Sequence, residues 1–450
     1  MNGRKTSRRN FLAKTSTAVT VATVCNHGRI AKSAPSERIR AGFVGVGGRA
    51  RLLLKHFSAQ KDVDIVALSD IDSRRIPQAV EYVKEHNGNH PKTYEDFRHI
   101  VDDPRIDIMV VGTPDHWHAI PTIMGCLAGK DVYVEKPDGH NILEGQTIVA
   151  AARKEQRVVQ LGTQSRSCAH FLEAMEYIKT GALGKVLVAK AWESSKQGNI
   201  GYPSDTRPPA GVDYDTWLGP APKRPYNPRR FHGSWRWFFD YGTGDLGNDG
   251  VHRLDYARWA LNAALEAQGE SPVSLPTKIT ATGGKWYFSD AQEWPDTLQV
   301  TYEYPSQNDQ QAGRLLTYEM RIWTPYNTRG GDLSEGAILY GDKGYIVFGN
   351  RHWKAYTERE KLVAEGKGSL SADPHVRNFL DCVKSRQKPN ADIETVGHPS
   401  SVLTHAANVA WRVGRQVILD PNTETFVGDD EANSFRTRPE YRKPWLLPDV

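Results

Sequence analysis

The sequence predicts an α/β chain of two domains, an N-terminal doubly wound parallel sheet followed by an α+β domain on a mostly antiparallel sheet. Three observations lead there. A chain of 450 residues is too long for one hydrophobic core. From Arg38 to Gln164, short apolar runs alternate with amphipathic stretches, the pattern of βαβ units. From Ser165 onward the period changes to apolar-polar alternation, as in a sheet with one covered face.

In the first domain, strands are predicted at Ile39–Gly45, Asp62–Asp70, Ile106–Pro114, Asp131–Pro137 and Arg157–Thr163. The runs Ile106–Val111 and Asp131–Val134 are apolar almost throughout, as strands covered on both faces must be. Gly45-Val46-Gly47-Gly48-Arg49-Ala50 stands where the first strand turns into a helix. Its glycines let the backbone approach a pyrophosphate at that helix's N-terminus. Asp70 ends the second strand, placed to accept bonds from a ribose and to repel a 2'-phosphate. The cofactor expected is therefore NAD rather than NADP, with Arg74 and Arg75 as the contrary features.

In the second domain, strands are predicted at Lys185–Trp192, Lys278–Thr282, Thr297–Tyr304, Leu315–Trp323 and Gly344–Phe348, and helices at Gly250–Leu261, Pro374–Ser385 and Ser400–Gly414. Gly201–Arg230, rich in Pro and Gly, reads as a long surface loop able to lid a cleft. The expected boundaries are 1–34 for an export segment, 38–164 for the dinucleotide-binding domain, 165–420 for the second domain and 421–450 for an extended arm.

Residues 1–34 carry seven basic side chains and no acidic one, and removing those seven charges from the net +5 leaves −2 for the body. A near-neutral body argues against nucleic acid as partner. Ser7-Arg8-Arg9-Asn10-Phe11-Leu12-Ala13-Lys14 and the weakly apolar stretch after it resemble a twin-arginine signal, which predicts export to the periplasm. Cys25 follows Val24 where a lipid-attachment box would have a small residue, so no anchor is expected. No run is apolar enough for a membrane span. Four cysteines without CxxC spacing suggest neither a disulfide framework nor zinc.

Thr113-Pro114-Asp115-His116-Trp117-His118 at one strand end, Glu135-Lys136-Pro137 at the next, and the downstream stretch Gly244–Asp255 with Asn248, Asp249 and His252 carry a family likeness. From about Arg38 to about Asp420 the chain resembles the glucose-fructose oxidoreductase, inositol dehydrogenase and rhizopine-catabolism family (Gfo/Idh/MocA). The resemblance implies a catalytic Lys136, a catalytic His252, a bound nicotinamide dinucleotide, no metal, and an open second-domain sheet that pairs subunits into a homo-oligomer. Family dehydrogenases commonly place an Asp four residues before the histidine, and here that position is Asn248.

Oxidising a secondary alcohol needs a proton acceptor and a group that steadies alkoxide charge. His252 suits the first role. Lys136, protonated at its ordinary pKa, suits the second. Asp255, three residues along the helix, is expected to orient the imidazole. Asn248 would bond a substrate hydroxyl, and Asp249 either caps the helix or binds sugar. Without the likeness, His252 reads as a core histidine and Lys136 as an ion-pair partner of Glu135. The expected cofactor residues are Gly45, Gly47, Gly48, Arg49, Asp70, Thr113, Pro114, His116, His118, Glu135, Lys136 and Gln164. The expected substrate residues are Arg166, Trp235, Trp237, Asp249 and His252, with the two tryptophans divided evenly between sugar stacking and core packing.

The function expected is an NAD-dependent oxidoreductase acting on a secondary hydroxyl of a sugar, sugar derivative or cyclitol. Outside the cytoplasm no NAD pool is expected, so the cofactor would stay bound and be recycled. An alternative is an NAD-dependent glycosidase or lyase, in which transient oxidation acidifies a neighbouring C–H, elimination expels the leaving group, and reduction restores the alcohol. An alternative of another class is a carbohydrate-binding protein with a structural NAD.

Overall fold

A computed structural model of the protein describes residues 38–305, 313–325 and 334–450. The expected export segment lies outside the described residues. No helix among them is long and apolar enough to cross a membrane.

The first sheet has six parallel strands: β1 (Ile39–Val44), β2 (Val63–Ser69), β3 (Lys92–Tyr94), β4 (Ile108–Val111), β5 (Asp131–Val134) and β6 (Val159–Leu161), in the spatial order β3-β2-β1-β4-β5-β6. β1 lies centrally, with chain crossing to either side of it. At that reversal the loops after β1 and β4 part and leave a crevice at the strands' carboxyl ends. Five strands fall where apolar periodicity puts them. β3 escapes it, because Lys92-Thr93-Tyr94 is an exposed edge with no apolar run.

Both faces of this sheet are covered. On one, Leu53, Leu54 and Phe57 of the helix Gly48–Ser58 pack with Val376, Phe379 and Leu380 of the helix Asp373–Ser385, which returns from the far half of the chain. On the other, Ile120, Ile123, Ile148 and Ala151 cover β4 and β5. Trp445 of the C-terminal segment joins them at 4.8 Å from Trp117 and 6.1 Å from Phe97. The arm expected over 421–450 thus contains a short helix, Asp430–Ser434, and runs back onto the first domain.

Among the described residues the second sheet has nine strands: β7 (Val186–Glu193), β8 (Lys278–Gly284), β9 (Thr297–Tyr304), β10 (Arg314–Arg321), β11 (Glu335–Gly341), β12 (Gly344–Phe348), β13 (His352–Thr357), β14 (Leu362–Lys367) and β15 (Val417–Ile418). Their order is β14-β13-β12-β11-β7-β10-β9-β8-β15. Every pairing is antiparallel except β7 with β10, which run parallel from Val188↔Leu315 to Glu193↔Met320. One face packs on the helices Ala169–Lys179, Val251–Ala267 and His398–Val413 through Phe171, Tyr256, Leu261 and Leu403. The helix at 251 begins earlier than expected: Leu246–Gly250 form one π turn that feeds into Val251–Ala267. Asp249 therefore sits inside a turn and does not cap the helix, which corrects one of the two expectations for it.

Candidate active site

A cleft opens at the carboxyl ends of β1, β2, β4 and β5, lined on the sheet side by Gly45, Gly47, Gly48, Asp70, Thr113 and Lys136. Its roof is the segment between β7 and the π turn. Thr216, Trp217, His232, Gly233, Trp235 and Arg236 face the cleft from there. That segment is fastened to the first domain: Ser73 N donates to Gly211 O at 2.8 Å, Asp213 N to Ile71 O at 2.9 Å, and His232 bonds Asp72 at 2.6 Å. The predicted lid is therefore a fixed roof. Its contribution, Trp217 above all, has no sequence signal beyond the aromatic and proline content of 201–241.

The glycine turn has the form a dinucleotide needs. Gly45 has φ +84° and Gly48 φ +36°, in the left-handed region where a side chain is strained. A Cβ on Gly48 would meet nothing within 4 Å, so open space lies there, whereas a Cβ on Gly112 would fall 2.6 Å from that of Ala50. The helix Gly48–Ser58 has no acidic residue in its first turn and no side-chain cap, so its leading amides are left for an anion. Asp70 accepts from Val46 N and Asp72 N, both at 2.9 Å, and still lines the cleft. Each oxygen retains a lone pair for a ribose hydroxyl. These residues fit a dinucleotide. Arg74 is drawn away into a bidentate pair with Asp72, while the Arg75 guanidinium lies across Gly47, where a Cβ would be 1.7 Å from its Nη1.

Arg49 Nε donates to Glu135 Oε1 at 2.8 Å, tying the glycine turn to the end of β5. Against the cost of burial, the Arg49 charge holds the Glu135 carboxyl below its ordinary pKa. His118 bridges the two strand-end motifs, with Nδ1 2.5 Å from Pro137 O and Nε2 2.9 Å from Thr113 O. His116 points elsewhere: it contacts Trp217 O at 2.8 Å and Tyr241 O at 3.2 Å and does not line the cleft. It anchors the roof, and burial lowers its pKa to about 3.

Lys136 reaches across the cleft to the second domain. Its Nζ donates to Asn248 Oδ1 at 3.0 Å and to the Asn248 main-chain carbonyl. Asn248 in turn donates to Asp249 Oδ2 at 3.0 Å. Burial lowers the Lys136 pKa, opposed by the charges of Asp249, Glu135 and Asp115. The His252 imidazole, one turn beyond Asn248 in the helix Val251–Ala267 and just outside the cleft lining, makes no side-chain hydrogen bond to any described residue. Burial, then the Lys136 charge, pushes its pKa well below 6.5, so the imidazole is neutral and retains a free lone pair.

Asp255 does not orient His252. Both of its carboxylate oxygens are engaged by Arg166, at 2.9 and 2.8 Å, and by Ser400 Oγ at 2.7 Å. The i,i+3 spacing turns Asp255 toward the helix His398–Val413 instead. Arg166 is thereby buried, stacks on Trp259 at 4.6 Å and stands outside the cleft lining. Gln164 is likewise buried away from the lining. Of the tryptophans, Trp235 lines the cleft and Trp237 is 4% exposed in the second-domain core.

Sequence comparison is consistent with this architecture. The oxidoreductase-family model for an NAD-binding Rossmann fold (Gfo/Idh/MocA) matches residues 39–163, and the model for that family's C-terminal alpha/beta domain matches 178–286 and 337–447. The chain belongs to the Gfo/Idh/MocA oxidoreductase family. Among curated relatives, it is 28% identical over 159 residues to glycosyl hydrolase family 109 protein 1 of a Shewanella species (strain ANA-3) and 26% identical over 159 residues to a family 109 protein of Shewanella pealeana. Each match covers 34% of this chain and 35% of the relative, about a third of either. Among solved structures, the aldose-aldose oxidoreductase of Caulobacter crescentus complexed with glycerol superposes with TM-score 0.59 at 20% identity, over 85% of this chain and 100% of that one. The WlbA dehydrogenase of Bordetella pertussis in complex with NADH and UDP-GlcNAcA gives 0.60 at 16%, over 85% and 99%. A levoglucosan dehydrogenase in complex with NADH gives 0.61 at 16%, over 85% and 99%. At these identities the likeness is one of fold.

Proposed function

We propose that the chain is an NAD-dependent oxidoreductase acting on a secondary hydroxyl of a sugar, sugar derivative or cyclitol, with the dinucleotide held tightly and recycled. The observation that carries this reading is the Lys136 ammonium, held inside the cleft by Asn248 with the neutral His252 one turn away. Gly45, Gly47, Gly48 and Asp70 would hold the pyrophosphate and adenosine ribose, and Thr113 and Pro114 the stretch between. NAD, when bound, supplies the acceptor for the carbinol hydrogen. Lys136 orients the substrate oxygen and steadies its developing charge. His252 takes the hydroxyl proton, and Trp235 offers a ring face to the sugar. Asn248 keeps an acceptor beside Lys136 without adding a negative charge. NAD rather than NADP is part of the proposal, resting on Asp70. So are periplasmic export, resting on the twin-arginine pattern, and association of copies through the second sheet.

A second reading is favoured by the family 109 relatives, which are named as glycosyl hydrolases: the same residues would serve a glycosidase or lyase working by transient oxidation. One experiment separates the readings. The purified protein is denatured, the released nucleotide identified, and the native protein screened with free and glycosidic sugars for absorbance of the reduced nicotinamide. Tightly held NAD with sugar-dependent reduction supports the oxidoreductase, and aglycone release without net reduction supports the glycosidase. A protein that binds sugars with neither outcome is the carbohydrate-binding protein with structural NAD.

A further inference from the structure

Behind the active cleft, on the other side of the segment Phe239–Thr243, lies a separate cavity of about 380 Å³, within the size range of small-molecule pockets. Its walls come from His140 after β5, Pro222, the 239–243 segment, Trp294, the helix His398–Val413 and the C-terminal stretch Phe435–Glu440.

Two arginines give this cavity its chemistry. Arg412 Cζ lies over the ring of Phe239 at 4.6 Å and over that of Phe435 at 4.0 Å. Rings engage a guanidinium through its faces, so its in-plane N–H groups are left over. No carboxylate among the described residues pairs with Arg412. Arg412 is exposed, unlike Arg166, Arg253 and Arg314, which are buried and paired with Asp255, Glu193 and Glu270. Of the nearby acids, Asp240 pairs with Arg224 and Glu293 accepts from Phe239 N at 2.6 Å, while Glu440 stands in the cavity wall itself, exposed at its rim. Arg438 supplies the second donor. It is 7% exposed, donates from Nε to Glu144 at 3.4 Å and from Nη1 to Asp240 O at 2.9 Å, and its buried Nη2 has no partner. A buried guanidinium nitrogen without an acceptor is costly, which marks where an acceptor belongs.

We propose that this cavity binds a small molecule carrying an oxyanion, a carboxylate or a phosphate ester, held by Arg412 and Arg438 with its apolar face toward Trp294 and Phe239. The site is joined to the active cleft through Thr243. The Thr243 carbonyl accepts from Asn408 Nδ2 at 2.8 Å on the cavity side, while its amide and hydroxyl donate to Asp115 at 3.2 and 2.8 Å on the cleft side. An occupant therefore bears on the loop that carries Asp115.

The test uses the full chain saturated with NAD, so that the amides of the glycine turn are already engaged, at constant ionic strength. Glucuronate, glucose 6-phosphate and glucose are titrated by calorimetry into the wild type, Arg412→Met and Lys136→Ala. The expected result is saturable binding of one or both anionic sugars, none of glucose, a loss of roughly tenfold or more in affinity in Arg412→Met, and no change in Lys136→Ala. Which anionic sugar binds names the oxyanion. Binding that persists in Arg412→Met, or that disappears in Lys136→Ala, places the ligand in the active cleft and overturns the proposal. Should Arg412→Met fail to fold, the wild type decides with Lys136→Ala: no saturation by either anion at millimolar concentration overturns it, and saturation in both supports it.

Discussion

Lys136 at the end of the fifth strand and Asn248 in the π turn of the second domain share two hydrogen bonds, from the ammonium to the side-chain oxygen at 3.0 Å and to the main-chain carbonyl. This contact closes the cleft between the domains. It also holds the lysine ammonium toward the position the substrate oxygen is proposed to take, so the first prediction concerns it.

Lys136→Ala is expected to lower turnover by roughly 10²–10⁴, with nucleotide content after denaturation unchanged. The measurement is kcat beside the ratio of released NAD to protein. Wild-type turnover in this variant would remove Lys136 from the chemistry.

Asn248→Asp places a carboxylate where the amide now accepts from Lys136. An adjacent negative charge favours the ammonium, so the Lys136 pKa, now lowered by burial, rises. If the ammonium is the active form, the alkaline limb of the pH–rate profile moves to higher pH. A limb that stays in place would show that it belongs to another group.

The imidazole of His252 is held neutral by burial, with a pKa well below 6.5. The acid limb of kcat/KM is accordingly expected below that value, and His252→Gln should lower kcat over the whole range. An acid limb centred at 6.5 or above contradicts the assignment of His252 as base.

His398 behaves in the opposite sense. Burial would lower its pKa, but Asp138 at 2.7 Å and Glu424 at 2.8 Å outweigh that and raise it to about 10. A histidine whose folded pKa is raised contributes stability fully below its unfolded value near 6.5, and that contribution fades as pH climbs toward 10. Urea unfolding should show stability falling by on the order of a few kcal/mol from pH 7 to 10. In His398→Gln that slope should flatten, while stability at pH 7 is lower.

Gly112→Val tests the close approach of strand and helix beneath the nucleotide turn. The absent Cβ would lie 2.6 Å from that of Ala50 and 3.0 Å from its Cα. Because backbone must shift to admit it, a stability loss of about 1–3 kcal/mol and weaker NAD retention are expected. Unchanged urea midpoints would show that the turn has slack.

The sequence alone determined the order of βαβ units, the glycine turn with Asp70, and the two strand-end motifs, because each is written in neighbouring residues with a fixed period or spacing. It pointed to Lys136 and His252 only through their motifs, since a single lysine or histidine carries no local signature. The tertiary structure decided what depended on distant partners. Asp255 lies three residues from His252, yet a bidentate guanidinium from Arg166 outweighs that proximity. Trp235 and Trp237 are two residues apart, and only the direction of the roof segment sends one to the cleft and the other into the core. The roof itself, the returning helix Asp373–Ser385 and Trp445 on the first domain are long-range contacts. They follow from which apolar faces remain uncovered once the sheets have formed, and no local period records that.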